Sequence, residues 1–213
     1  MDENALNIFT DGSSLPSPRS GGIGIRFVFP YNLKKDEIIK DFDLCGYKGA
    51  TNNQMELSAC LIALKEAQKL EEVRLIQRIV IHTDSQYVVE NYKRAMFQWS
   101  VSKWLKSTGS PVMNADIWKD IVRELRKTGK RVDFEWVKGH SKNEHNKAVD
   151  KLAKNSAKKP LNSAISVVAV RRKLSQNKVS VGSIPMLGQK ISIRIITREY
   201  LRVQKTTKFK VIS

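Results

Sequence analysis

The stretch "RIVIHTDS", Arg78–Ser85, decides the reading of the fold. It is a nearly continuous apolar run that closes on Thr-Asp-Ser. A near-copy, "IFTDG", occupies Ile8–Gly12 and closes the first apolar segment, "ALNIFTDG". Each is Ile, one variable residue, Thr, Asp and a small residue. A run without polar alternation suits a strand at the centre of a sheet covered on both faces. A carboxylate at the edge of such a core costs free energy unless something positive meets it. If the two strands lie side by side and parallel, Asp11 and Asp84 leave the sheet together at one end. Open α/β sheets bind ligands there, outside the carboxyl ends of their strands.

Outward from these runs, residues 5–11 read as a strand ending at Asp11, with Gly12 opening the Gly/Pro/Ser-rich loop "DGSSLPSPRSGG". "IGIRFVFP" and "IIKDFDLCGY" read as two further strands of an antiparallel meander. The period then changes. "TNNQMELSACLIALKEAQKL" is helical, and Thr51 with Gln54 three residues on fits a capping box. After the strand at 78–84, "SQYVVENYKRA" reads as a short helix. Asn114 is placed to cap "ADIWKDIVRELRKTG", which ends at Gly129. "RVDFEWVKGH" alternates as a fifth strand, and "NEHNKAVDKLAKNSAKK" closes as a helix. A meander followed by strand–helix alternation predicts an α/β fold: a mixed five-stranded sheet flanked by helices.

The 213 residues carry 38 Lys and Arg against 21 Asp and Glu, a formal charge of +17. That balance points to a polyanionic partner, most simply nucleic acid. No apolar run approaches the ~20 residues of a membrane span. The acidic start "MDENALNIF" is not a signal peptide. Cys45 and Cys60 fit no metal spacing and read as free buried thiols in a reducing cytoplasm. Residues 160–213 hold one acid, Glu199, against eleven Lys and Arg, in short alternating runs such as "KISIRIIT". They read as a small basic β-rich annex over 164–213. It is joined by a lysine-rich hinge at 158–163 to a domain over 1–157. The annex is expected to add nucleic-acid affinity; a fold-stabilising or dimerising extension is the other reading.

Two more acids sit in apolar helical settings: Glu56 in "NNQMELSA" and Asp150 in "NKAVDKLA". Taken singly, each acid has an ordinary structural reading. Asp11 could be a turn former and Asp84 a helix cap, and Glu56 and Asp150 could be surface acids facing basic residues. Together, four oxygen donors suit a hard divalent ion, Mg²⁺ or Mn²⁺. Two such ions about 4 Å apart are the usual device for in-line phosphodiester displacement. On this reading the missing positive partner is Mg²⁺, and no nearby Lys or Arg is needed.

"FTDGS", "TNNQMEL", "HTDSQYV" and "WVKGHSKNEHNKAVDKLA" resemble the type 1 ribonuclease H family over roughly residues 5–157, in the family's order. The resemblance implies a divalent-metal-dependent endonuclease that cuts the RNA strand of an RNA–DNA hybrid, leaving 5′-phosphate and 3′-hydroxyl ends. It places two Mg²⁺ ions (with Mn²⁺ as a substitute) on Asp11, Glu56, Asp84 and Asp150, Asp11 bridging both. It gives His140 a part in proton transfer or product release, which suits a loop His. His82 and His145 match no catalytic position.

Asn52, Asn53 and Gln86 match minor-groove contacts, where an amide can both donate to and accept from a 2′-hydroxyl. Thr51 and Asn114 match a phosphate-binding pocket on the DNA strand. The family's arginine of that pocket is replaced by Gly49, with Lys48 as a point-charge substitute, and Ser17 departs where Asn is common. "YKRAMFQWSVSKWLKSTGS" corresponds to a basic handle. Lys93, Arg94, Lys103 and Lys106 supply its charge, and Trp99 and Trp104 its stacking platforms, unless they pack inward. The handle implies an enzyme with no obligatory protein partner. Two other readings keep the fold: a non-catalytic hybrid- or duplex-binding protein, and a DNA nuclease or strand-transfer enzyme. The converging acids argue against the first, and the amide set against the second.

Overall fold

The two near-copies pair with each other residue for residue. In the computed structural model β1 (Leu6–Pro16) and β4 (Arg78–Thr83) run parallel, with Ile8 opposite Ile81, Phe9 opposite His82 and Thr10 opposite Thr83. The structure describes residues 1–17, 19–30, 39–139, 143–159 and 165–166. β2 (Arg19–Val28) and β3 (Ile39–Lys48) complete the antiparallel meander, and β5 (Arg131–Trp136) pairs in parallel with β4.

Among the described residues the sheet has six strands rather than five, in the order β5-β4-β1-β2-β3-β6. The sixth, β6 (Ile165–Ser166), comes from the stretch expected to open the annex and pairs in parallel with Tyr47 and Lys48. The free edge of β3 offers unpaired backbone groups, and two residues following the last helix take them up. Residues 160–164 and 167–213, which hold the rest of the expected hinge beyond Lys158 and Lys159 and the remaining annex, lie outside the described residues.

β1 does not stop at Asp11. Gly12 stays in the strand opposite Ile23, and the pairing runs on to Pro16 opposite Arg19. The Gly- and Ser-rich segment expected as a loop is instead the distal half of a hairpin.

Two layers of helices cover the sheet. On one face Leu6, Ile8, Ile23, Ile25, Ile79 and Ile81 pack under α1 (Asn52–Ala67), with α2 (Gln86–Arg94) and α3 (Ala115–Thr128) completing that core. α1 is buried on nearly every side, Lys65 included, because it lies between the sheet and α3. On the other face Phe9 and Val28 meet Val149 of α4 (Glu144–Ala157). Phe9 also stacks on His82, with ring centres 4.6 Å apart. Cys60 is a free, buried thiol facing Thr10, and burial pushes its pKa up to about 12. The Cys45 side chain lies outside the description.

Helix boundaries follow local chemistry with one exception. Thr51 and Gln54 close the capping box at the start of α1, Ser85 caps α2, and Gly129 ends α3 in the left-handed region at φ 62°. Asn114 occupies the N-cap position of α3 but makes no side-chain cap bond. Its backbone is itself left-handed, at φ 55°, a conformation asparagine tolerates better than most residues. Among the described residues no helix is long and apolar enough to cross a membrane.

Candidate active site

Asp11 and Asp84 are the first residues beyond the last parallel pair, Thr10 and Thr83. Strand alternation puts both on the face that carries α4. Two glycines then bring helices onto this point. A methyl group at Gly12 would overlap the Glu56 nitrogen and the Met55 carbonyl carbon, so its absence lets the first turn of α1 rest on β1. Gly24 lies directly across from Asp11, and a methyl there would overlap the Val149 carbonyl oxygen. α4 therefore lies against β2 one residue before Asp150. Strand order supplies two acids; helix-to-backbone contact delivers the other two.

The electrostatics record the convergence. Asp11 is 9% exposed, and its pKa is pushed up to about 7. Burial is the largest cause, followed by the charges of Asp84 and Asp150, with that of Glu56 smaller; the Gly12 amide, donating to Oδ1 at 2.8 Å, opposes them. Glu56 is raised by burial and by Asp84, against the hydroxyl of Ser85, which donates to Oε2. Asn52 donates to Glu56 Oε1 at 3.3 Å.

Three of the four carboxylates have a donor of their own nearby. Asp150 accepts from Lys154, one turn on, at 2.7 Å and 2.9 Å to its two oxygens. A cation therefore sits beside one of the acids, although the reading of the sequence called for none. The carbonyl of Asp84 accepts from the indole of Trp136 at 3.2 Å. Of these donors Ser85 could be read from its place after the second aspartate. Lys154 and Trp136 carry no sequence signal that separates them from a surface pair and a strand residue.

The donor set fits a hard divalent cation. Converging carboxylates, whose charges raise the pKa of Asp11 and, from Asp84, that of Glu56, gain most from a multivalent positive charge. As the side chains stand, no three His, Cys, Asp or Glu residues among those described close on a single point. Asp11, Glu56 and Asp150 are each engaged with a local donor.

Asn52, Thr51, Lys48 and Gln86 are exposed, and Asn53 is half-buried. They stand where β3 ends and where α1 and α2 begin. Gly49 has φ 72°, so a side chain at the position of the missing arginine would be strained. Ser17 is exposed at the turn between β1 and β2. Gly139 passes over Asp84, its Cβ position 3.2 Å from Oδ2. His140, the next residue, lies outside the described residues. His82 is buried, its Nε2–H donates to Asn7 Oδ1 at 2.9 Å, and burial pulls its pKa down to about 4.

After α2 the chain winds through one wide helical turn, Ala95–Trp99, and reverses at Lys103 and Trp104, both at positive φ. Trp99 and Trp104 are half-buried against the core. Trp99 meets Trp118 edge-on at 6.0 Å, and Lys119 sits 5.8 Å over the Trp104 ring. Lys103 and Lys106 are exposed. An open groove of about 860 Å³ runs along this segment, lined by Asn91, Arg94, Gln98, Trp99 and Lys106 among others.

Comparison with known proteins agrees with this geometry. The RNase H family model matches residues 3–158. "Ribonuclease H" of Actinobacillus pleuropneumoniae is 36% identical over 155 residues, covering 73% of this chain and 92% of the relative. "Ribonuclease HI" of Haemophilus influenzae is 36% identical over 155 residues, covering 73% and 91%. Among solved structures, a type 1 RNase H with the type 2 active-site motif superposes with a TM-score of 0.62 at 21% identity, covering 83% of this chain and 82% of that one. The foamy viral protease-reverse transcriptase in complex with RNA/DNA hybrid superposes at 0.61 and 21%, covering 74% and 20%. At these identities the structural likenesses speak to fold.

Proposed function

This chain belongs to the type 1 ribonuclease H family, and from that premise we propose that it hydrolyses the RNA strand of RNA–DNA hybrids at Asp11, Glu56, Asp84 and Asp150. The proposal includes two divalent ions, Mg²⁺ or Mn²⁺, and products with 5′-phosphate and 3′-hydroxyl ends. The observation that carries it is the convergence of the other three acids on buried Asp11, whose pKa is raised to about 7 first by burial and then by their charges. A protein that only bound nucleic acid would have no use for repelling acids at a phosphate-binding face.

Bound ions would neutralise the acids and the scissile phosphate and activate the attacking water. The chain's own residues do the rest. Asp11 gives up its proton and presents both oxygens at the end of β1. Asn52 and Ser85 hold Glu56 in place. The amides of Asn52, Asn53 and Gln86 read the 2′-hydroxyl that separates RNA from DNA. Thr51, Asn114 and Lys48 receive the DNA-strand phosphate, with a point charge where a guanidinium fork is missing. Lys103 and Lys106 add phosphate contacts, and the exposed faces of Trp99 and Trp104 stack against the duplex. His140 moves a proton or helps release product. The annex contributes further phosphate contacts.

The test is a substrate panel. End-labelled RNA–DNA hybrid, double-stranded RNA and duplex DNA are incubated with the protein in Mg²⁺ and in chelator. Cutting of the RNA strand of the hybrid alone, abolished by chelator, is the expected result. Cutting of duplex DNA would move the chemistry to a DNA nuclease. Binding without cutting in either metal would reduce the protein to a hybrid binder.

A further inference from the structure

Lys154 stands out because it engages one of the four acids through both oxygens. Its ammonium lies 2.7 Å and 2.9 Å from the two oxygens of Asp150. The i,i+4 spacing on α4 makes the contact local, but its electrostatics are not. Lys154 keeps its proton more tightly than an ordinary lysine, first through the Asp150 hydrogen bond, against an opposing cost of burial, and then through the charges of Asp150, Asp11 and Asp84. Three of the four acids therefore feel this one cation. Among the described residues no other Lys or Arg forms an ion pair with any of the four. Both partners are part-exposed, Lys154 at 48% and Asp150 at 34%, so the long side chain has room to swing away.

An ammonium 2.7 Å and 2.9 Å from the two oxygens of Asp150 repels a divalent ion approaching the same carboxylate and competes with it for the same lone pairs. We propose that Lys154 is a built-in counter-cation: it holds Asp150 and offsets the acids' repulsion when no divalent ion is bound, and it competes with the ion for Asp150. It thereby sets the ion affinity of the α4 side of the site. The proposal rests on the reading of the four acids as an ion site. Lys154 is a positioning residue, acting through Asp150.

Two substitutions should move affinity in opposite directions. Lys154→Gln removes the competing charge. It should tighten Mg²⁺ binding by about two- to fivefold, the scale of a partly exposed ion pair, and lower the melting temperature in chelator. Lys154→Arg replaces a point charge with a fork that matches a carboxylate. It should weaken Mg²⁺ binding and leave the melting temperature in chelator unchanged or raised. The measurement is calorimetric titration of the full chain with Mg²⁺, no substrate present, alongside thermal melts in chelator and in Mg²⁺. A helix-surface pair with no bearing on the site would leave the Mg²⁺ affinity of both variants at the wild-type value, and that result overturns the proposal. So does weaker Mg²⁺ binding by Lys154→Gln. If the wild-type chain takes up no Mg²⁺ at all, the reading of the acids themselves fails, an outcome distinct from the other two.

Discussion

At the scale of single residues, Asp11 concentrates the chemistry. A carboxyl whose pKa rises on folding, here to about 7, holds a proton in the folded state that the unfolded chain has released. The folded state is not penalised below the unfolded value near 4. The penalty grows as pH climbs through the window between about 4 and 7, and is complete above it. The ion-free protein should therefore lose stability over that window. Asp11→Asn should abolish most of that loss and stabilise the protein at pH 8 by on the order of 2 kcal/mol, read from chemical denaturation in chelator. A variant as pH-sensitive as wild type would contradict the assignment. Ion binding must also expel the proton, so Mg²⁺ affinity should fall as pH drops below 7. Asp11 and Asp84 were legible because the near-repeat "IFTDG" and "IHTDS" names them twice. Lys154 was not, since a lysine four residues after an aspartate on a helix is an ordinary surface pair.

At the scale of elements, glycine was read for the wrong property. The segment from Gly12 to Gly24 holds four glycines, two prolines and several serines, a composition that argues for a loop when glycine is taken as a source of backbone freedom. Gly12 and Gly24 serve close approach instead, in a hairpin with ordinary pairing. A single sequence does not say which helix will come to rest on which strand, so that use was hidden. The helices themselves were readable from their period and from the capping box at Thr51 and Gln54. Gly12→Ala should separate the start of α1 from β1 and shift Glu56. The expected cost is about 1–3 kcal/mol of stability, with loss of hybrid cleavage at temperatures where the variant remains folded. Cleavage at the wild-type rate by a folded Gly12→Ala protein would show that the α1 contact does not position Glu56.

At the scale of the whole molecule, the positive charge is divided unevenly. Residues 176–213 carry eight Lys and Arg and a single acid. Their basic character was legible, and so was the α/β class. The sixth strand was not, because two residues pairing on a sheet edge leave no periodic trace. Truncation after Ser175 keeps β6 and should flatten the dependence of hybrid affinity on salt. Each lost phosphate contact takes roughly 0.7–0.9 from the slope of log affinity against log salt. An unchanged slope would remove the segment from the binding surface. The central claim is that the four acids cut RNA when it is paired with DNA, and one comparison tests it most directly. Wild-type protein and Asp84→Asn are each bound to end-labelled RNA–DNA hybrid at matched occupancy, and Mg²⁺ is added for a single turnover. The account predicts RNA-strand cleavage by the wild type and a loss of at least about a hundredfold in the variant, more than 2.7 kcal/mol of transition-state stabilisation. Equal rates from the two proteins would contradict it.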